Sequence, residues 1–157
     1  MAGDLQLQIS HELAERIGQH GAETFPHECC GALLGRDAAF LENAEAESSR
    51  EVLELFPLVN RRDDSPRNRF AVTAEDVLDA EKAARQRGLD VVGWYHSHPD
   101  HPARPSQFDR EHAWPWYSYI IVSVMGGKPA EMTSWRLNDD RQDYTSERIQ
   151  VRNRAAV

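Results

Sequence analysis

The stretch LDVVGWYHSHP, residues 89–99, decides how this chain is read, together with Ser106 and Asp109 beyond it. Leu89, Val91, Val92 and Trp94 mark a buried strand, and His96 and His98 at its end, one residue apart, project from the same face. Two imidazoles so placed can grip one metal ion together. After a proline-rich gap, Ser106 follows Pro105 in the position of a helix N-cap, which puts Asp109 in the first helical turn. A strand end, a tight loop and a helix start thus converge three candidate ligands: His96, His98 and Asp109.

Working outward toward the N-terminus, Leu5, Leu7 and Ile9 alternate with polar residues at the period of a strand with one wet face. Ser10 caps a helix over residues 11–22, with Leu13, Ala14 and Ile17 at helical spacing; Gly18 and Gly21 weaken its end and Phe25-Pro26 stops it. Residues 27–35, an apolar run bounded by Pro26 and Gly35, read as a buried strand. The alanines of residues 38–49 admit a helix, but the position between two strand-like runs favours a strand. Residues 52–60 are extended, with a kink or bulge at Pro57, and residues 60–69 form an exposed, charged loop. Phe70, Val72 and Thr73 suggest a brief strand. Thr73 then caps a helix with Asp76 at its third position, an apolar face of Val77, Leu78, Ala80 and Ala84, and a stop at Gly88.

Toward the C-terminus, a short helix runs from Ser106 to about Ala113 and ends at Trp114-Pro115. Residues 117–125 read as a second buried strand, Gly126-Gly127-Lys128-Pro129 as a turn, residues 132–137 as an antiparallel partner and residues 148–151 as a last strand. This order describes an α+β (α-β-α) fold, a mixed, mostly antiparallel sheet with flanking helices. Residues 1–157 are expected to form a single domain, with residues 140–157 a peripheral strand or flexible tail.

Composition narrows the function. With 26 acidic against 18 basic residues the formal charge is −8, which disfavours attraction to nucleic acid and leaves a protein or small molecule as the expected partner. The N-terminus has neither the basic nor the apolar region of a secretory signal, and the longest apolar run is too short to span a bilayer. Cys29 and Cys30 are adjacent, a poor geometry for a structural disulfide, so a reducing cytoplasm is the expected compartment.

Catalytic zinc usually has three protein ligands drawn from His and Asp/Glu and an open fourth position, and His96, His98 and Asp109 supply such a set. Ser106, lying between ligands, can donate a hydrogen bond to developing oxyanion charge. Glu28 opens an apolar strand after Pro26, where a carboxylate has no packing reason to be, and is the candidate for proton transfer. Spacing alone does not bring Glu28 near the metal.

The combined pattern does more. His96-Ser-His98, a seven-residue gap, Ser106, a two-residue gap and Asp109, with Glu28-Cys-Cys30-Gly31 far upstream, resembles the JAMM (MPN+) metalloprotease family in its short bacterial and archaeal form. The resemblance covers most of the chain, and the core pattern shows no departure, unlike the catalytically silent MPN branch. It implies an MPN fold, a zinc ion held by His96, His98 and Asp109, Glu28 as general acid and base, and Ser106 as oxyanion stabiliser. It further implies hydrolysis of the peptide or isopeptide bond after the Gly-Gly tail of a ubiquitin-like or sulfur-carrier protein of the ThiS/MoaD type.

Simpler readings stand beside these. Ser106 and Asp109 also serve as cap and first-turn acid, a role compatible with ligation. His27, His101 and His112 read as solvated histidines, Cys30 as a small buried hydrophobe, and most of Trp114, Trp116, Tyr117 and Tyr119 as core. Two alternatives of other classes are a non-catalytic, zinc-braced interaction module and a DNA-repair-associated factor; the acidic charge argues against the second.

Overall fold

The computed structural model describes residues 5–37, 49–59 and 72–152. In chain order these form β1 (Gln6–Ser10), α1 (His11–Thr24), β2 (Cys30–Asp37), β3 (Ser49–Leu58), α2 (Ala74–Gln86), β4 (Asp90–Pro99), α3 (Gln107–His112), β5 (Ser118–Met125), β6 (Lys128–Leu137) and β7 (Tyr144–Arg152). Of the strand expected over residues 38–49, residues 38–48 lie outside the described residues, as do the charged loop over 60–69 and Phe70, while Ser49 begins β3. Val72 and Thr73 do not form the brief strand expected of them, because Thr73 is taken up as the cap of α2.

Both long helices begin where their caps predict. The Ser10 side chain accepts from the Leu13 amide, and Thr73 and Asp76 close a reciprocal capping box. Gly18 and Gly21, expected to weaken the end of α1, instead lie inside it and are buried. A Cβ on Gly21 would stand 2.9 Å from Val124 Cγ2, so these glycines let the helix sit close on the sheet.

The class is mixed α+β as expected, with one difference: the sheet closes into a barrel in the order β1-β3-β2-β4-β5-β6-β7. Four pairings are antiparallel and three parallel, so the antiparallel majority is narrow. β7 causes the closure. It pairs with β6 on one side and, in parallel, with β1 on the other, and so is integral rather than peripheral. The hydrophobic pattern specifies which face a strand buries but not which strand lies at its other edge, so this pairing was out of reach of the sequence.

Alternation along the central strands feeds two cores. Leu33, Val92, Tyr95, Ile120 and Val122 pack with Leu13 and Ile17 of α1. Ala32, Leu34, Val91, Trp94 and Tyr119 pack with Ala80, Ala83 and Ala84 of α2. Val92 and Trp94, two apart, serve opposite cores, and Val91 and Trp94, three apart, share one, because the β2–β4 register shifts between them: Leu33 pairs with Gly93 and Leu34 with Val91. The bulge expected in the 52–60 segment falls at Leu53 rather than at Pro57: Leu34 pairs with Glu54 and Gly35 with Val52, while Pro57 stays in register opposite Gly31 of β2.

Gly93 lies in β4 where a Cβ would meet the Ser118 carbonyl oxygen of β5 at 2.0 Å. Backbone cannot yield as a flexible side chain can. Gly93→Ala is therefore expected to lower stability by roughly 1–3 kcal/mol, read as a lower urea midpoint at unchanged slope; an unchanged midpoint would contradict this packing.

Candidate metal centre

β4 runs on past its paired core into the site, so His96 and His98 lie on the Trp94 side, facing the α2 layer, while Ser97 faces α1. Cys30 pairs with His96, and the next step of that register is held by two bonds: the Cys29 amide donates to Ser97 Oγ at 2.8 Å, and the Ser97 amide donates to the Cys29 carbonyl at 3.2 Å. Paired residues of the ladder end at Cys30 and His96, and Glu28 lies two residues before that pair, next to the Cys29 that exchanges bonds with Ser97. Glu28 is only 4% exposed.

Asp109 arrives from the other side on α3. Its Oδ2 lies 3.1 Å from His98 Nε2 and 3.3 Å from His96 Nε2, and the two Nε2 atoms are 3.1 Å apart. Side-chain exposures of 2%, 9% and 10% for His96, His98 and Asp109 keep the cluster largely dry. Ser106 and Asp109 form a reciprocal capping box: Ser106 Oγ accepts from the Asp109 amide at 3.0 Å, and Asp109 Oδ2 accepts from the Ser106 amide at 2.9 Å. The cap thereby aims the same oxygen that faces both imidazoles. Ser106 is exposed, and with its oxygen accepting, the hydroxyl proton remains available to donate.

The loop between ligands is pinned from below. Ser123 Oγ donates to the His101 carbonyl and Thr133 Oγ1 to the Ala103 carbonyl, each at 2.6 Å, while Asp100 Oδ1 accepts from the Gly126 amide at 2.7 Å. None of these three anchors was singled out from the sequence. Asp100, ahead of His101-Pro102, carried a weak turn signal; the partners on β5 and β6 carried none.

The donor set suits a cation. His98 Nδ1 lies 2.9 Å from the Pro102 carbonyl, which can only accept, so that nitrogen carries the proton and the Nε2 lone pair points at Asp109 and His96. Ligand atoms about 2.0–2.1 Å from a tetrahedral zinc stand roughly 3.3 Å apart, close to the separations seen here. Burial pushes the His96 pKa down against the pull of Asp109. For His98 burial acts in the same sense, but hydrogen bonding and charge from Asp109 raise it. Asp109, despite burial, is held well below the usual carboxylate range by the two imidazoles. Among the described residues, this is the one group of His, Cys, Asp or Glu whose ligand atoms converge in this way.

His96 and Asp109 also line a groove of about 720 Å³ whose other walls are Leu78 and Val77 of α2, Phe108 of α3, and the segment carrying Trp114 and Trp116. Here the expectation of core aromatics fails in part. Tyr119 is buried, but Trp114 and Trp116 are 63% and 40% exposed, and Leu78, assigned to a buried face, is 66% exposed. His27, His101 and His112 are exposed, as expected.

Fold and ligand geometry together are those of a JAMM-type domain. Residues 10–138 match the family described as prokaryotic homologs of the JAB domain. The chain is 36% identical over 126 residues to the desampylase of Haloferax volcanii, covering 77% of this chain and 83% of that protein. It is 31% identical over 122 residues to the probable TtuB-protein conjugate cleaving protease of Thermus thermophilus, covering 78% and 73%. The solution structure of a protein from Desulfitobacterium hafniense matches with a TM-score of 0.78 at 29% identity, covering 94% of each chain. This chain belongs to the prokaryotic JAB-domain family.

Cys29 and Cys30 are 1% and 2% exposed, and burial pushes both thiols up to about 12. They behave as small apolar residues. At pH 8 a maleimide is expected to label neither in the folded protein and both after denaturation; rapid native labelling would show that the strand start opens.

Proposed function

We propose that this chain is a zinc metallopeptidase that hydrolyses the peptide or isopeptide bond after the C-terminal Gly-Gly tail of a small ubiquitin-like or sulfur-carrier protein in the cytoplasm. The observation that carries the reading is the convergence of His96, His98 and Asp109 at metal-ligand separations, beside a groove that His96 and Asp109 line. Two relatives add support to the substrate class, one named as a protease cleaving TtuB-protein conjugates and the other as a desampylase.

His96, His98 and Asp109 would hold the zinc, which when bound supplies Lewis-acid activation of water and of the scissile carbonyl. Glu28 takes a proton from the attacking water and returns it to the leaving amine. Its burial favours such a shuttle, because a carboxylate drawn from bulk water exchanges protons with the reacting atoms rather than with solvent. The Ser106 hydroxyl donates to oxygen as negative charge grows on it, leaving its cap bond to Asp109 in place. An extended tail ending in glycines presents little bulk at the reacting carbonyl, and main-chain hydrogen bonds to a strand edge would hold it.

The test is mass spectrometry of Gly-Gly carriers extended by one or a few residues, incubated with the zinc-loaded protein. Glu28→Gln is expected to keep its zinc and lose a hundredfold or more in turnover, on the order seen when a general base is removed. Asp109→Ala is expected to lose zinc and activity together. Acidification through the imidazole range, roughly pH 6.5, should also release the metal, because protons compete for the same nitrogen lone pairs. Full turnover in zinc-replete Glu28→Gln would remove Glu28 from the mechanism. A protein that binds zinc, melts lower without it and cleaves no carrier would instead be the zinc-braced interaction module.

A further inference from the structure

Trp116 sits in a place that its own backbone resists. Its φ is +85°, in the left-handed region that a bulky aromatic residue rarely enters, and its side chain is 40% exposed on the wall of the groove that His96 and Asp109 also line. Such a conformation persists only where surrounding contacts over-determine it. Here the contacts come from the protein interior. Arg50 of β3, 1% exposed, donates from Nη1 to the Trp116 carbonyl at 2.7 Å, and its guanidinium carbon lies 4.2 Å from the Trp116 ring centroid. One side chain therefore grips both the backbone and the ring of the same residue.

Arg50 is itself held more firmly than a buried charge requires. Its Nε and Nη2 each lie 2.7 Å from Asp37 Oδ2, and Nη1 also reaches the Val92 carbonyl at 3.0 Å and Ser118 Oγ at 2.9 Å. Ser118 passes the connection on to Glu147 at 3.1 Å, which Ser134 and Arg136 bind in turn. A neutralised pair with Asp37 alone would satisfy the charge. The contacts to Trp116 carry this network to the groove.

From this we infer that Arg50 is a positioning residue: it acts through Trp116 to fix one wall of the groove beside the metal centre, and so sets how tightly that groove holds the substrate. The inference rests on the proposed peptidase reading for what enters the groove, but not for the clamp itself. Arg50, buried away from the groove, touches no substrate. Losing it should weaken binding and leave the chemical step nearly alone.

The protein is labelled with 5-fluorotryptophan, and the Trp116 signal among the four tryptophans is assigned by its loss in Trp116→Phe. In Arg50→Met the Trp116 fluorine resonance is expected to shift or broaden at full zinc content, with KM for an extended Gly-Gly carrier rising roughly tenfold and kcat changing less than about threefold. Arg50→Lys, which keeps the charge but cannot span ring and carbonyl together, is expected to fall between wild type and Arg50→Met. Adding Arg50→Met to Trp116→Phe should raise KM little further, since the two residues act as one unit. If Arg50→Met does not fold, Arg50→Lys answers the same questions. An unmoved Trp116 resonance, or a full KM effect of Arg50 substitution in the Trp116→Phe background, overturns the clamp. If wild type cleaves no carrier, the peptidase reading fails while the fluorine spectrum still decides the clamp.

Discussion

The pairing of the end of β4 with the start of β2 is the constraint on which the site depends. Past Cys30 the ladder continues only through the exchange between Ser97 and Cys29, in which a side-chain oxygen substitutes for a backbone acceptor. On its other edge β4 stays paired with β5 from Gly93 through Pro99, which keeps its last residues extended, and an extended strand must alternate. His96 and His98 then have no choice but one face and Ser97 the other. A slip of one residue would send both imidazoles into the α1 core and leave Asp109 facing a serine.

Burial on both faces is what prevents that slip. Leu33, Val92 and Tyr95 fill one core and Ala32, Val91 and Trp94 the other, so the apolar residues of β2 and β4 have assigned sides. The shift at Val92 sits upstream of the histidines and reconciles the two cores without disturbing the ligands. Beyond Pro99 the backbone leaves the sheet, and there the loop is held by Ser123, Thr133 and Asp100 rather than by ladder bonds. Two rigid supports, a strand end and a capped helix start, therefore meet across a loop that is tied at several points, an arrangement suited to holding ligand atoms near their working separation.

Charge is distributed with the same economy. At the metal centre a carboxylate and two imidazoles crowd together because a cation can satisfy all three. Around Arg50, Asp37, Arg136 and Glu147, positive and negative groups satisfy one another instead, and they tie β2 and β3 to β5, β6 and β7 around the barrel. The first cluster asks for a ligand; the second asks for none, and its reach to Trp116 is what connects the interior to the groove.

The grouping of His96, His98 and Asp109, the helix caps at Ser10, Thr73 and Ser106 and the strands on either side of the site were readable from residues alone, because each rests on contacts between neighbours in sequence or on alternation along one strand. Glu28 was chemically conspicuous in the sequence, where only a family resemblance linked it to the histidines; its burial, beside the Cys29–Ser97 exchange, came with the structure. The barrel closure through β7, the interior network of Arg50 and the exposure of Leu78, Trp114 and Trp116 were invisible, since each depends on residues far apart in the chain meeting in space. Local chemistry and periodicity determined what this protein can bind; long-range pairing, which no single segment encodes, decided which residues surround it.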